Sequence, residues 1–324
     1  MMDRRSFLTL ASAASLQPFL TRPAGADAGP GGPVRRIMFV HGRDQQDIDP
    51  EVLKAQWMDA LGKGAQSLGR QVPDHLDVSF PYYAKVLDHY THDIPTTEDV
   101  QSRGGDQTDQ DFLSFEFSAT DEMRKRAGIS DQQLDELYGP DPHPKGPENW
   151  RWVHAVVKAI DKYGFGMSGT TIEATMRDVY LYTSRGGVRN QIDQIVKALL
   201  AEEPTIVVGH SLGSVVAYNV LRTYTGKLQI PLFVTLGSPL AIRAVRDQLV
   251  PIGYPKPPVA LAAWNNAFDT RDIVALYPLD QANFPVNPAV KNYDGVKNHT
   301  DNRHGIAGYL DDPTVAGWIL DALG

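Results

Sequence analysis

The chain has 324 residues, 42% of them hydrophobic and 22% charged, the make-up of an ordinary soluble globular fold, which excludes a wholly disordered or collagen-like chain. With 31 Lys and Arg against 39 Asp and Glu the net charge is -8, so the phosphate attraction behind most nucleic-acid affinity becomes repulsion, and no nucleic-acid partner is expected. Cysteine is absent, which removes thiolate nucleophiles, disulfides and Cys-bound zinc and leaves oxygen and nitrogen groups to carry any chemistry.

The first 26 residues open with basic Arg4 and Arg5, pass through a mildly apolar stretch from Phe7 to Leu20 and reach a small-x-small site at Ala24-Gly25-Ala26. That order reads as a cleavable export signal. Arg4-Arg5 followed by Ser6-Phe7-Leu8 resembles the twin-arginine type, whose receptor passes folded proteins across the bacterial inner membrane, so a periplasmic or extracellular location is expected. A Gly- and Pro-rich linker, 27–33, leads into a single domain over 34–324. No later stretch holds the roughly 20 apolar residues that span a bilayer, so stable membrane insertion after signal removal is not expected.

Within the domain, the apolar run Ile37 to Val40 is too short for a helix and suits a strand buried on both faces. A helix is expected from Glu51 to Leu68 and a second strand from Leu76 to Phe80. Further β-branched or apolar runs lie at Thr205 to Val208, Leu232 to Leu236 and Val259 to Trp264. Helical patterns fall between and after them, at Val188 to Leu200, Leu212 to Tyr224, Ala241 to Leu249 and from Pro313. Alternating strands and helices predict an α/β fold with a mostly parallel sheet covered on both faces. Residues 81 to 187 break that rhythm and read as a large insertion, a cap over a site or a surface decoration. Inside it are an acidic, Gln-rich stretch from Glu98 to Asp111 expected to be flexible, an aromatic alternation at Phe112, Phe115 and Phe117, a helix near Asp131 to Leu137, and a Pro-rich link from Pro140 to Pro147. Trp150 and Trp152 either line an apolar pocket or, more in keeping with their type, pack the insertion onto the core.

Gly209-His210-Ser211-Leu212-Gly213 follows an apolar strand run and precedes a helical pattern, the context that gives G-x-S-x-G its meaning. A serine nucleophile must project from a tight strand-to-helix turn, where side chains at either flank would strike neighbouring backbone. The helix beginning after Ser211 also points its amide dipoles at the place where negative charge would develop. At this point GHSLGSVVAYNVL, followed by TLGSPL, resembles the α/β-hydrolase family, in particular its lipase and esterase branch with the GPI inositol-deacylase-like and lecithin acyltransferase-like groups. The similarity spans about Val34 to Leu323 apart from much of the insertion.

The resemblance implies an α/β-hydrolase fold, a serine nucleophile at Ser211, and an acid and then a histidine later in the chain. Asp272 is the expected acid and Asp269 its rival; beyond them only His299 and His304 remain, and His304, in Asn302-Arg303-His304-Gly305 ahead of Tyr309, is similar to the family's histidine loop. His41-Gly42-Arg43 resembles the oxyanion loop, which implies the backbone amides of Leu212 and Arg43 as oxyanion donors with Gly42 shaping the turn; the Arg43 side chain could instead meet an acidic substrate group. His210 points away from its neighbour and is expected to pack within the turn. His75, His143 and His154 read as solvated. Asp88, His89, His92 and Asp93 cluster without a second ligand pair at metal-site spacing, so a polar turn is expected there rather than a metal site. The implied activity is carboxylic ester hydrolysis of a small-molecule or lipid substrate through an acyl-enzyme, with no cofactor. Amidase, thioesterase or acyltransferase chemistry would use the same groups, and a non-catalytic binding protein on the same fold is the reading from outside the enzymes.

Overall fold

A computed structural model of the chain describes residues 34–43, 45, 47–91, 94, 107–140, 145–163, 166–253, 256–258 and 260–324. The expected signal, the linker, His92, Asp93, His143 and Val259 lie outside them.

Buried β-branched and aromatic runs set the sheet. β1 (Arg36–Val40), β2 (Asp77–Ser79), β3 (Thr205–His210), β4 (Phe233–Leu236), β5 (Trp264–Ala267) and β6 (Lys291–Tyr293) form one six-stranded sheet in the order β2-β1-β3-β4-β5-β6. Every pairing is parallel, with Ile37 opposite Ile206, Val208 opposite Val234, and Thr235 opposite Asn266. The central strands are apolar almost throughout because both faces are covered. Alternate residues divide between two layers. Ile37, Phe39, Ile206, Val208, Val234 and Leu236 belong to one apolar cluster, whereas Met38, Val40, Val207 and Phe233 belong to the other.

On the first face lie α1 (Pro50–Ser67) and, from the far side of the sequence, α11 (Pro313–Leu323). Asp49 caps α1 by accepting from the amides of Glu51 and Val52. Its buried stripe, Leu53, Trp57, Ala60, Leu61, Gly64 and Ala65, follows helical spacing, and the Trp57 ring meets Phe39 at 5.2 Å. Asp312 caps α11 in the same way through the amides of Thr314 and Val315.

The second face is covered by helices drawn from the long segment between β2 and β3 and from the strand connections. In chain order these are α2 (Ala84–Thr91), α3 (Gln107–Arg126), α4 (Asp131–Tyr138), α5 (Trp150–Tyr163), α6 (Gly169–Ser184), α7 (Gly186–Lys197), α8 (Leu212–Thr223) and α9 (Arg243–Leu249). A 3-10 turn, Pro239–Ala241, precedes α9, and a single turn, α10 (Ala307–Leu310), precedes α11. Residues of α3, α5 and α6 share one apolar cluster with Met38, Val207 and Phe233 of the sheet, so most of the expected insertion contributes directly to the core. Residues Pro33–Gly324 make up a single compact unit.

Three expectations need correction. The strand expected at Val259 to Trp264 lies later, at Trp264–Ala267. Its polar centre is satisfied across the sheet: the Trp264 indole donates to Thr235 Oγ1 at 3.1 Å, that hydroxyl donates to Asn266 Oδ1 at 2.8 Å, and Asn266 Nδ2 donates to Asn292 Oδ1 at 3.0 Å. Phe112, Phe115 and Phe117 sit on helix α3 rather than in an extended run; Phe112 and Phe115, three apart, both meet the Tyr180 ring, at 5.4 and 5.3 Å. The same helix starts at Gln107, so the end of the acidic stretch expected to be flexible is helical. Trp152 is packed, edge-on to Tyr138 at 5.0 Å. Among the described residues no helix is long and apolar enough to cross a membrane.

Candidate active site

From β1 the chain crosses to β2 on one side, while β3 pairs on the other, so the sheet order reverses between β1 and β3. In open parallel sheets the crevice beyond the strand ends at such a reversal is where ligands bind. Gly42 follows β1 there and Ser211 follows β3.

Ser211 alone joins the last residue of β3 to the first of α8, and it does so at φ 53° and ψ −129°. A non-glycine residue in that region costs on the order of 1–3 kcal/mol and persists only when its surroundings over-determine it. Here they do. Its amide donates to the Leu236 carbonyl at 3.0 Å, and its carbonyl accepts from the Ser214 amide at 2.9 Å and the Ser214 hydroxyl at 2.6 Å. The flanking glycines are steric necessities: a Cβ on Gly213 would lie 2.0 Å from the Val40 carbonyl oxygen, and one on Gly209 2.7 Å from the Ser214 Cα. A Cβ on Gly42 would stand 3.0 Å from the Ser211 Cβ, which measures how closely the loop after β1 approaches the serine. Leu212 is the first residue of α8, so its amide is one of those with no acceptor inside the helix.

Ser211, His304 and Asp272 form one hydrogen-bonded chain. His304 Nε2 is 2.8 Å from Ser211 Oγ, and His304 Nδ1 is 2.7 Å from Asp272 Oδ2. Because a carboxylate accepts, Nδ1 carries the proton and Nε2 is left to accept from the serine hydroxyl. All three are buried, at 2%, 7% and 2% exposure for Ser211, His304 and Asp272. Burial alone would raise the Asp272 carboxyl. The positive charge His304 can carry, the hydrogen bonds from His304 and Tyr309, and the Val274 amide at 2.9 Å together outweigh it and hold the group below its ordinary value.

The rival residues have other work. Asp269 accepts from the Arg271 amide at 2.8 Å and, through its second oxygen, from the Asn298 amide at 2.8 Å, thereby tying its own loop to the loop that carries His304. His299 faces outward and pairs with Asp311 at 2.6 Å. The Arg43 side chain meets Asp178 of α6 at 3.2 Å. A cavity of about 140 Å³ beside that pair is lined by Arg43 and Arg177 but also by Asp88 and Asp178, so its charges balance and do not single out an acidic ligand. His75 is exposed and His154 half-buried. Among the described residues no group of three or more metal-ligating side chains is placed to hold a metal ion.

Two buried histidines, His210 expected to pack within the turn and His41 in the oxyanion loop, make hydrogen bonds that the sequence did not show. His210 Nε2 donates to the backbone carbonyl of His304 at 2.7 Å, which anchors the histidine loop from below, with ring centroids 4.9 Å apart. The partner is a carbonyl 94 positions away, so no local signal marks it. His41 Nδ1 donates to the Gly42 carbonyl at 2.6 Å while Nε2 accepts from the Tyr83 amide at 3.2 Å, and its ring stacks on Tyr83 at 4.1 Å. The Tyr83 hydroxyl donates to the His41 carbonyl. Burial lowers His41 to about 4, against the Gly42 hydrogen bond; burial and the charge of His304 lower His210 to about 3.

Both rings are therefore neutral in the folded protein, whereas the unfolded chain takes up their protons near pH 6.5. Below that value the unfolded state binds more protons than the native one, so stability is complete above about pH 6.5 and is lost as pH falls toward 4 and then 3. Each ring is expected to cost about 2 kcal/mol by pH 5, about 4 together. Urea unfolding should show a clearly lower midpoint at pH 5 than at pH 7.5; coincident midpoints would refute the assignment.

Compared with protein-family models, with curated proteins and with solved structures, the chain finds no match.

Proposed function

We propose that this chain is an exported serine hydrolase of the α/β-hydrolase fold that cleaves carboxylic esters. The observation that carries the reading is the continuous contact from Ser211 through His304 to Asp272, set on a strained strand-to-helix turn at the end of a central parallel strand. The chain order Ser, Asp, His, the parallel sheet and the reversal of strand order beside the serine support the same fold.

In the proposed reaction Ser211 Oγ attacks the ester carbonyl carbon as His304 Nε2 takes its proton. The resulting oxyanion is held by the amides of Leu212 and Arg43, a pair of which one member is typically worth 10²–10³ in turnover. Asp272 stays ionised, orients the imidazole and stabilises its charged form. His304 then gives the proton to the departing alkoxide, and the alcohol leaves an acyl-serine. Water, deprotonated by the same imidazole, attacks that acyl group, and Ser211 recovers its proton as the acid departs. The route needs no cofactor. The long segment between β2 and β3 supports the oxyanion loop from the second face of the sheet: Tyr83, just before α2, and Asp178 of α6 both hold the loop 41–43.

A fluorophosphonate probe is expected to attach to Ser211, and p-nitrophenyl esters of increasing acyl length are expected to be turned over, a short-chain preference marking an esterase and a long-chain preference a lipase. Absence of both labelling and turnover would leave the binding-protein reading. Cleavage after Ala26 places Asp27 first in the mature chain; N-terminal sequencing of protein recovered outside the cytoplasm checks this, and an intact Met1 on exported protein overturns it.

A further inference from the structure

The carboxylate that orients His304 is held by a second donor which the proposed reaction does not use. Tyr309, on α10, donates its hydroxyl proton to Asp272 Oδ2 at 2.6 Å, the same oxygen that lies 2.7 Å from His304 Nδ1. The Tyr309 hydroxyl in turn accepts from the Asp269 amide at 3.3 Å, so both of its hydrogen-bonding directions are used. The residue is fully buried and its ring belongs to the core cluster beneath α1 and α11. Resting on the serine-hydrolase reading above, we propose that Tyr309 is a positioning residue that tunes Asp272, and through it His304, by sharing the oxygen that faces the imidazole.

Two donors on one carboxylate oxygen divide its electron density. With Tyr309 in place, Oδ2 is a weaker acceptor for His304 Nδ1–H, so the carboxylate gives less support to the imidazolium when it forms. The same hydroxyl fixes the carboxylate in plane, together with the Val274 amide on Oδ1. Tyr309 keeps its proton throughout: burial first, and then the charge of Asp272, push its phenol well above the ordinary value. No proton passes through it in either half of the reaction. The other titratable groups around this pair are His210, whose ring lies 4.9 Å from His304, and His41 beyond it; Asp269, in the same loop as Asp272, is engaged by Arg271 and Asn298. None of these donates to Asp272 Oδ2 among the described contacts.

The test is Tyr309→Phe, which keeps the ring and removes the hydroxyl. The acid limb of the kcat/KM profile for a p-nitrophenyl ester is expected to move to higher pH by about 0.5–1 unit. A roughly tenfold fall in kcat with KM unchanged should accompany it, since the lost contact touches orientation and not substrate. A purely structural role would lower activity at all pH values with the limb in place, and that result overturns the proposal. The low-field proton resonance of His304 Nδ1–H supplies a readout independent of turnover: Tyr309→Phe should shift it further downfield, and an unmoved resonance overturns the proposal even if the chain hydrolyses no ester. Failure of the function alone is recognised by absent turnover and probe labelling in the unaltered chain. Should the phenylalanine variant fold poorly, 3-fluorotyrosine at position 309 keeps ring and hydroxyl while strengthening the donor, and both the limb and the resonance are expected to move the opposite way.

Discussion

Ser211→Ala is expected to abolish fluorophosphonate labelling and to lower ester turnover by about 10⁶-fold, the scale on which removal of a triad nucleophile acts. The variant is clean because it removes only Oγ. Alanine has the same Cβ as serine, so the strained backbone at φ 53° is neither relieved nor worsened, and the hydrogen bonds that pin the turn run through the backbone of residue 211 and the hydroxyl of Ser214. Stability measured by urea unfolding should therefore stay within about 1 kcal/mol of the parent. Persistent labelling in the alanine variant would point to a different nucleophile and dismantle the proposed reaction.

Asp272→Asn should cost about 10⁴ in kcat, the loss seen when a triad acid is replaced by its amide. The local geometry explains why the amide cannot adapt. Oδ1 accepts from the Val274 amide and Oδ2 from both Tyr309 and His304, so all three neighbours are donors. An asparagine must turn its NH₂ toward one side or the other. Facing Val274 it opposes a donor to a donor in a buried site; facing His304 it forces the imidazole into the tautomer whose Nε2 carries a proton and cannot accept from Ser211. Asp269→Asn is the control. That residue holds the loops of Arg271 and Asn298 and does not touch His304, so its loss is expected to lower stability while reducing turnover less than tenfold. If the two variants exchanged phenotypes, Asp269 would be the orienting acid.

The parts of this architecture that could be read from sequence are those in which local chemistry and tertiary demand agree. Ile37 to Val40 and Thr205 to Val208 are apolar and β-branched because both of their faces are covered, and the turn at Ser211 announces itself through its glycines, whose absent side chains match carbonyls within 3 Å. Where the two disagree, the sequence misleads. β5 contains Asn265 and Asn266, which resemble a loop until their cross-strand partners are known, and β6 is an edge strand of three residues with little burial to mark it. α6 is rich in Thr and Tyr, poor helix formers; it holds because most of it is buried, and Thr175, Thr183 and Ser184 satisfy their hydroxyls on carbonyls four residues earlier. The supporting roles of His210 and Tyr309 depend on partners tens of positions distant, beyond the reach of any window.

The seating of α11 against α1 bears on how the molecule is made. Arg70, just past α1, reaches Asp321 on α11 across 251 positions. During synthesis the stripe containing Leu53, Trp57 and Leu61 therefore emerges long before the segment that shields it. For tens of seconds, at roughly 5–20 residues per second, that greasy surface is open to other nascent chains, and a holding chaperone would find its natural target there.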